Sequence, residues 1–267
     1  MTILPLADAF PRWPSSLNFI ATDMDGTLTL DEELTGDLLQ TLLDLRQAGV
    51  TVLMTTGRSA GWVNGLAYYL PIVGAIAENG GLFYSPHLDP AGVLLTPIQD
   101  RSTHRYKLAE IFTQLKAEFS FIEEASDNAF RVTDWTYANP GFATEELHRM
   151  KQICLEAGWG FVYSNVQCHI KPLGQNKQTG LLEVLSKHLK LQRRPDQLIT
   201  IGDSPNDDEL FDPTVFPYSV GVANVAEYLD DMHFMPSAIA SHPEQRGFLE
   251  LAQLILNQRG SKESLFG

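Results

Sequence analysis

The sequence predicts an α/β fold, in which a doubly wound, Rossmann-like parallel-sheet core carries an inserted α/β domain. Continuously apolar segments alternate with amphipathic helical segments near both ends of the chain, which is typical of parallel strands joined by crossover helices. The middle of the chain changes to a different order of helices and strands. With 267 residues, the chain is long enough for such a two-part fold with a buried core.

A β-α-β unit is predicted near the N-terminus. Residues 17–23, LNFIATD, are almost continuously apolar, as expected for a strand that is covered on both faces. Residues 35–48 place leucines at helical spacing and are followed by Gly49, a typical C-cap residue. The segment GVTVLMTTGRS then supplies a second apolar strand. The two strands are expected to be parallel and joined by a right-handed crossover.

The C-terminal part of the chain repeats this alternation. A helix is predicted over residues 179–190, a strand over residues 197–204, and a further helix that begins in NDDELF. A short strand in YSVGVAN and an amphipathic helix in RGFLELAQLIL follow. These elements are expected to continue the parallel sheet of the N-terminal part.

The segment between these two parts has a different organisation. AIAENGGLFY predicts a hairpin with a tight turn at Asn79-Gly80. A strand near VLLTPI, helices over about residues 106–119 and 144–157, and strands in FSFIEEA, AFRVTDW, FVYSNV and CHIKP fit a split β-α-β unit. The expected division of the chain is a core of residues 1–83 and 172–267 and an inserted domain of residues 84–171.

The charge of the chain excludes some classes of function. There are 19 lysines and arginines against 33 aspartates and glutamates, which gives a net charge of -14. Because a nucleic-acid-binding surface needs a basic stripe to replace counterions, no nucleic-acid partner is expected. An anionic substrate would instead require local positive groups or a metal ion.

The sequence predicts neither a secretory leader nor a membrane span. The N-terminal segment lacks a basic region and is interrupted by prolines, and the most apolar stretch, YYLPIVGAIA, is about half the length that spans a bilayer. We therefore expect a cytoplasmic protein with no membrane partner. Cys154 and Cys168 form no metal-binding pattern and are either reduced thiols or a disulfide. The sequence indicates no oligomeric state.

The first motif that suggests chemistry is DMDGTLT, at the end of the first predicted strand. Asp23 and Asp25 lie two positions apart, so on an extended strand their carboxyl groups would point to the same side. Such a pair is favoured if a cation lies between the carboxylates or if one of them carries a proton. Asp23 is therefore a candidate nucleophile toward phosphorus, and Asp25 a candidate acid and base. The structural alternative is an Asx turn at the strand end.

Two further motifs offer groups that could hold an anion. In TTGRS, Thr56 provides a hydroxyl group close to a backbone N–H beside Gly57, and Arg58 would either contact substrate or brace an acidic neighbour. Lys177 precedes a predicted helix and adds positive charge to a helix N-terminus, which already favours anions. The alternatives are a strand-to-helix turn capped by Ser59 and a solvated surface lysine.

The last motif, GDSPND, suggests a metal site. Asp203 and Asp207 lie four residues apart where a predicted strand leads into a helix. Facing Asp23, their carboxylates would complete an oxygen-rich site of the kind that Mg²⁺ prefers. The same residues suit a helix N-terminus, where acidic side chains are favoured by the helix dipole. The two roles are compatible.

In the order DxDGT, TGR, Lys and GDxxND, these motifs resemble those of the haloacid dehalogenase-like (HAD) superfamily. The resemblance covers the whole chain. The inserted domain is similar to the large cap of the Cof-type branch of that superfamily, which includes sucrose-phosphate phosphatases. The resemblance implies that Asp23 is the nucleophile and a Mg²⁺ ligand. It implies that Asp25 is the acid and base and ligates Mg²⁺ through its backbone carbonyl. The other implied roles are phosphate binding by Thr56, Gly57 and Lys177, Mg²⁺ binding by Asp203, and support by Arg58, Asn206 and Asp207.

We therefore predict a Mg²⁺-dependent phosphatase that hydrolyses a small phosphorylated metabolite through an aspartyl-phosphate. Family resemblance alone favours a sugar phosphate. Two alternatives stay open: a phosphomutase that uses the same intermediate, and a phospho-aspartate signalling module, in which a cap has no purpose. The cap residues that could contact substrate, or else be satisfied polar groups on a sheet surface, are Arg131, Asp134, Asn165 and His169.

Overall fold

The computed structural model describes residues 3–164, 166–189 and 197–263 and confirms the α/β fold class. In chain order the strands are β1 (Leu4–Pro5), β2 (Phe19–Thr22), β3 (Thr51–Thr55), β4 (Gly74–Ala77), β5 (Leu82–Tyr84), β6 (Val93–Leu94), β7 (Trp135–Ala138), β8 (Trp159–Tyr163), β9 (Gln167–Pro172), β10 (Ile199–Gly202), β11 (Ser219–Gly221) and β12 (Ala238–Ile239). The α-helices are α1 (Leu6–Ala9), α2 (Gly36–Gln47), α3 (Ala60–Tyr69), α4 (Arg101–Glu118), α5 (Thr144–Glu156), α6 (Lys177–Glu183) and α7 (Glu244–Glu263).

The large sheet has the strand order β1-β12-β11-β10-β2-β3-β4-β5-β6. Neighbouring strands from β1 to β4 are parallel, whereas β4, β5 and β6 pair in antiparallel order. Because β2 lies between β3 and β10, the chain leaves β2 toward one side of the sheet and later returns on its other side. In doubly wound sheets, the carboxyl ends of the strands at such a switch point form the ligand-binding crevice.

The β-α-β unit predicted near the N-terminus is present. The Thr35 hydroxyl oxygen caps α2 by accepting a hydrogen bond from the Leu38 N–H at 3.2 Å. Ile20 of β2 packs in one apolar cluster with Leu38, while Phe19 packs in another with Leu181 of α6. The strand is therefore buried on both faces, as its continuously apolar sequence predicted.

The small sheet is antiparallel, with the order β7-β9-β8. Cys168 and Ile170 of β9 pack in an apolar cluster with Leu108 of α4 and Met150 of α5. Successive residues of a strand point to opposite faces, so the polar residues between them form the other face of the sheet. That polar face is not the one that packs against the two helices. The division of the chain at residues 84 and 171 stays a prediction.

Several predicted elements differ from the structure. AFRVTDW is not a strand before its last residue, because Ser126–Phe130 is a 3-10 helix and β7 begins at Trp135. The segment VLLTPI does not open the inserted unit; it pairs as β6 with β5, because its apolar residues, such as Leu94 opposite Leu82, extend the hairpin of the large sheet. FSFIEEA forms only an isolated bridge, between Glu124 and Tyr137. The segment that begins in NDDELF is a 3-10 helix, Pro205–Phe211, rather than the start of an α-helix.

Cys154 and Cys168 are both free and buried, so the structure has no disulfide between them. Within the described ranges, no helix is both long and apolar enough to cross a membrane.

Candidate active site

The predicted motifs meet at one edge of the large sheet. Asp23 follows β2, Thr56 follows β3 and Asp203 follows β10, while Lys177 is the first residue of α6. Because these strands are parallel neighbours, their carboxyl ends lie side by side. The fold thus brings together residues that are up to 180 positions apart in the chain.

Lys177 lies between two aspartates and is fully buried. Its ammonium group donates hydrogen bonds to Asp23 Oδ1 and, at 2.7 Å, to Asp207 Oδ1. Burial disfavours the charge of Lys177, but the two carboxylates outweigh it and raise the pKa of the ammonium group above its ordinary value. Burial raises the pKa of Asp23 to about 7, because the opposing effect of Lys177 is the smaller one and Asp207 and Asp25 add to the increase.

Asp203 is held by side chains from two other segments. Its Oδ1 accepts a hydrogen bond from the Thr27 hydroxyl at 3.2 Å, and its Oδ2 accepts one from Asn224 Nδ2 at 2.9 Å. Burial, followed by the charges of Asp23 and Asp207, raises the pKa of Asp203 well above its ordinary value. Gly26 allows this close approach, since it has φ 77° and a Cβ there would lie 2.5 Å from Asp203 Oδ2.

Three of these carboxylates fit a metal ion. Asp23, Asp203 and Asp207 each offer an oxygen within 4.8 Å of the others, and all three are buried. Among the described residues, Lys177 is the cation that contacts Asp23 and Asp207. Burial, with neighbouring carboxylates adding to it, raises the pKa values of Asp23 and Asp203. Buried carboxylate oxygens in excess of positive charge are the donor set expected for Mg²⁺. The cluster includes Asp207, which the sequence placed in support, and not the side chain of Asp25.

Asp25 is engaged by Arg58. The Nε group of Arg58 lies 2.9 and 3.0 Å from the two Asp25 oxygens, and its Nη2 donates to Oδ1 at 2.6 Å. The guanidinium carbon of Arg58 also lies 4.8 Å from the centre of the Trp62 ring. This contact is the bracing of an acidic neighbour that the sequence offered as one role for Arg58, and its two-point arrangement fixes the orientation of the carboxylate.

The turn after β3 presents hydrogen-bonding groups beside this cluster. The Thr56 hydroxyl oxygen accepts from the Arg58 N–H at 3.1 Å, which leaves its own hydrogen available as a donor. Asn206 Nδ2 donates to Asn79 Oδ1 at 3.2 Å. Asn79 Nδ2 is buried, has no partner among the described residues, and would lie 3.2 Å from a Cβ placed on Gly57. An unsatisfied buried donor at this position is well suited to an anionic oxygen.

The polar face of the small sheet covers these groups. A narrow cleft lies between them. The small sheet and its β8–β9 turn contribute Ser164, Val166, Gln167 and His169 to its lining, opposite Asp23, Asp25, Gly57, Arg58, Ser204 and Asn206. Arg131 connects the two sides, because its Nη1 donates to the Gly57 carbonyl at 2.9 Å. The buried Glu78 carboxylate adds a second connection by accepting from the Thr133 N–H at 2.6 Å and from its hydroxyl at 2.7 Å.

The candidate cap residues have different surroundings. His169 lines the cleft, whereas the five N–H groups of the buried Arg131 are taken up by Asp127, Asp134, Gln167 and the Gly57 carbonyl. Asn165 lies outside the described residues. The sequence interpretation assigned no site role to Thr27, Asn79, Asn224 or Gln167. For Thr27, Asn79 and Asn224 the available signals were their places in DGTLT, ENG and VAN, whereas Gln167 had none.

The sequence is similar to that of known phosphatases. The sucrose-6F-phosphate phosphohydrolase family matches residues 17–250 of the chain. A phosphoglycolate phosphatase of Methanothrix thermoacetophila is 28% identical over 221 residues, which are 80% of this chain and 90% of that protein.

Solved structures share the fold. A Thermoplasma acidophilum protein, 0175, superposes with a TM-score of 0.68 at 18% identity, over 89% of this chain and 99% of that one. The sucrose-phosphatase of Synechocystis sp. PCC6803, solved with sucrose and phosphate, superposes with a TM-score of 0.60 at 19% identity, over 90% of this chain and 98% of that one.

Proposed function

Because the chain belongs to the sucrose-6F-phosphate phosphohydrolase family of HAD-like phosphatases and is thus a phosphoric monoester hydrolase, we propose that it hydrolyses a small sugar phosphate with Mg²⁺ through an aspartyl-phosphate. The observation that carries the proposal is the buried Asp23 carboxylate, which Lys177 contacts at the edge of a cleft that Asp25 also lines. A nucleophile, a positive charge and an acid–base group are the parts that phosphoryl transfer requires.

The reaction has two steps. An oxygen of Asp23 attacks phosphorus, the bond between phosphorus and the leaving oxygen breaks, and Asp25 donates its proton to that oxygen. Asp25 then takes a proton from water, whose oxygen attacks phosphorus and releases inorganic phosphate and the free Asp23 carboxylate. Asp25 ends the cycle protonated, as it began, so the protons balance.

The neighbouring residues orient these groups. Arg58 holds the Asp25 carboxylate by two-point contact, so that its proton is delivered in one direction. Lys177, the Thr56 hydroxyl and the backbone around Gly57 hold the phosphoryl oxygens, as electrostatic stabilisation of phosphoryl transfer requires. Mg²⁺, held by Asp23, Asp203 and the Asp25 carbonyl with support from Asp207 and Asn206, would offset charge on these oxygens.

The cap, which begins after β6 because β6 pairs in the large sheet, excludes bulk water and contacts the leaving group, and it moves about hinges near its two ends. The polar lining of the cleft supports a sugar phosphate. Its lining includes hydroxyl, amide and imidazole groups. Among the described lining residues, the one arginine or lysine is Arg58, and it is paired with Asp25. A leaving group with hydroxyls can form hydrogen bonds there, whereas a carboxylate would need an unpaired positive charge.

Phosphoglycolate is a second candidate substrate. The relative from Methanothrix thermoacetophila is named a phosphoglycolate phosphatase, and the narrow cleft favours a compact ester. A carboxylate of such a substrate would have to draw Arg58 away from Asp25, which costs the two-point ion pair.

The test is release of inorganic phosphate from a panel of monoesters, with Mg²⁺ and with chelator. The panel contains sucrose phosphate, hexose phosphates, phosphoglycolate, pyridoxal phosphate, flavin mononucleotide and an aryl phosphate. We expect Mg²⁺-dependent release that is lost in Asp23→Asn and retained in Asp8→Asn, a change at an exposed aspartate. An isomerised sugar phosphate without free phosphate would instead indicate a phosphomutase.

A further inference from the structure

The polar face of β9 places one histidine against the phosphate-binding turn. Along β9, Cys168 and Ile170 pack against the helices, so Gln167 and His169 point to the opposite face. His169 is 1% exposed, and its Cε1 and Nε2 atoms would lie 3.0 and 3.1 Å from a Cβ on Gly57. Its imidazole edge therefore borders the phosphate-binding turn and lines the same cleft as Asp23.

The orientation of this ring is fixed from behind. His169 Nδ1 lies 2.8 Å from Asp134 Oδ2, and both Asp134 oxygens accept from Arg131 at 3.0 Å. Arg131 is in turn held by Asp127 at 2.9 Å, by Gln167 at 2.7 Å and by the Gly57 carbonyl. The cluster is buried, so the imidazole has little freedom to turn. Arg131 is a positioning residue in this arrangement, since all its donors are used.

The same contact determines which ring nitrogen carries the proton. Burial by itself would raise the pKa of Asp134, but Arg131 and His169 hold that pKa below its ordinary value. Asp134 is therefore an ionised acceptor. His169 Nδ1 must therefore be the donor in this pair. Burial, only partly offset by Asp134, lowers the pKa of His169, so the ring is neutral near pH 7. Nε2 is then an acceptor, and it has no hydrogen-bond partner among the described residues.

We propose that His169 is a specificity-determining residue, whose Nε2 accepts a hydrogen bond from a hydroxyl group of the leaving alcohol. The inference rests on the proposed phosphatase function, because only there does a leaving group occupy this cleft. A neutral acceptor attracts a hydroxyl and disfavours a carboxylate, which offers no proton to share. His169 therefore makes the enzyme prefer hydroxylated esters over esters of the same length without hydroxyls, and over phosphoglycolate.

The test compares glycerol 1-phosphate with propyl phosphate, which has the same carbon chain but no hydroxyl groups. We expect the wild type to favour glycerol 1-phosphate in kcat/KM. His169→Leu should reduce that preference about tenfold, the effect of one hydrogen bond, while turnover of propyl phosphate changes by less than about threefold. His169→Gln keeps a polar end group and should restore part of the preference. His148→Leu, at an exposed histidine of α5, should leave it unchanged.

Several results would overturn the inference. An unchanged preference in a folded His169→Leu variant would do so, as would a wild type that hydrolyses both esters equally or favours phosphoglycolate. If His169→Leu does not fold, ¹⁵N NMR of the histidine side chains in the wild type replaces it. A protonated His169 Nε2 at pH 7 then contradicts the proposal, and an unprotonated one supports it. No phosphate release from any ester by the wild type would instead overturn the proposed function, and this inference with it.

Discussion

Replacing Lys177 by methionine tests how the site is held together. Lys177 is fully buried between Asp23 and Asp207, and methionine fills a similar volume without a charge. Removing one partner of a buried ion pair leaves the other charge without compensation, which costs about 3–5 kcal/mol. For a chain of this size, such a loss corresponds to a decrease of about 6–20 °C in melting temperature.

The pH dependence of this stabilisation follows from the pKa of Lys177. The folded-state pKa of Lys177 is raised above its ordinary value, so its contribution is fully present below the ordinary lysine pKa of about 10.4 and is lost only above it. Melting at pH 8, which is below that value and above the Asp23 pKa of about 7, therefore measures the full effect. Part of the loss should be recovered with Mg²⁺, because a cation can replace the ammonium charge beside the carboxylates.

The assay is thermal unfolding in chelator and in Mg²⁺, together with phosphate release. Lys187→Met is the matched control, since Lys187 forms an ion pair with Glu183 at 2.8 Å but its side chain is 64% exposed. That pair should contribute less than about 1 kcal/mol. The kcat of Lys177→Met should also fall by about 10²–10³. If Lys177→Met melts no lower than Lys187→Met and keeps its kcat, the reasoning is refuted.

Three further predictions concern other parts of the molecule. Arg58→Lys should lower kcat about tenfold with little change in KM, because a lysine cannot hold Asp25 at two points; steady-state kinetics measure this, and an unchanged kcat would contradict it. Mg²⁺ should raise the melting temperature of the wild type but not of Asp203→Asn, and equal stabilisation of both would remove Asp203 from the metal site. Cys154 and Cys168 are both buried, and burial raises the pKa of Cys154 to about 12. Neither thiol should therefore react with a thiol reagent at pH 8 until the protein unfolds, and rapid reaction of the native protein would disprove their burial.

The central part of the site could be predicted because its signals are local. DMDGTLT, TTGRS and GDSPND each follow a strongly apolar segment, and the carboxyl ends of neighbouring parallel strands always share one edge of the sheet. Their meeting point therefore followed from the fold class. The helix over residues 35–48 was equally predictable, since its leucine spacing and its Thr35 cap are contained in the segment itself.

The remaining contacts depend on residues that are distant in the chain. Asn224 acts by donating to Asp203, and Asn206 by donating to Asn79, which lies 127 positions away. No local pattern indicates such pairs. The partners of Arg131 were hidden for the same reason, because its contact with the Gly57 carbonyl exists only when the small sheet lies over the core.

Short apolar segments were also ambiguous. Val93 and Leu94 carry a strand signal, but nothing in two apolar residues indicates which sheet they join. The structure pairs them with β5, whereas the order of elements along the chain had suggested the inserted unit. Pairing partners are decided by tertiary packing, which sequence periodicity does not contain.

Trapping the enzyme during turnover tests the central claim, that Asp23 takes up the phosphoryl group. The reaction with an ester that the enzyme hydrolyses is quenched in acid at short times. The peptide that contains Asp23 is then analysed by mass spectrometry for wild type and Asp23→Asn. The account predicts a phosphoryl group on Asp23 in the wild type, and neither the modified peptide nor phosphate release in the variant. Full phosphate release by Asp23→Asn would contradict it.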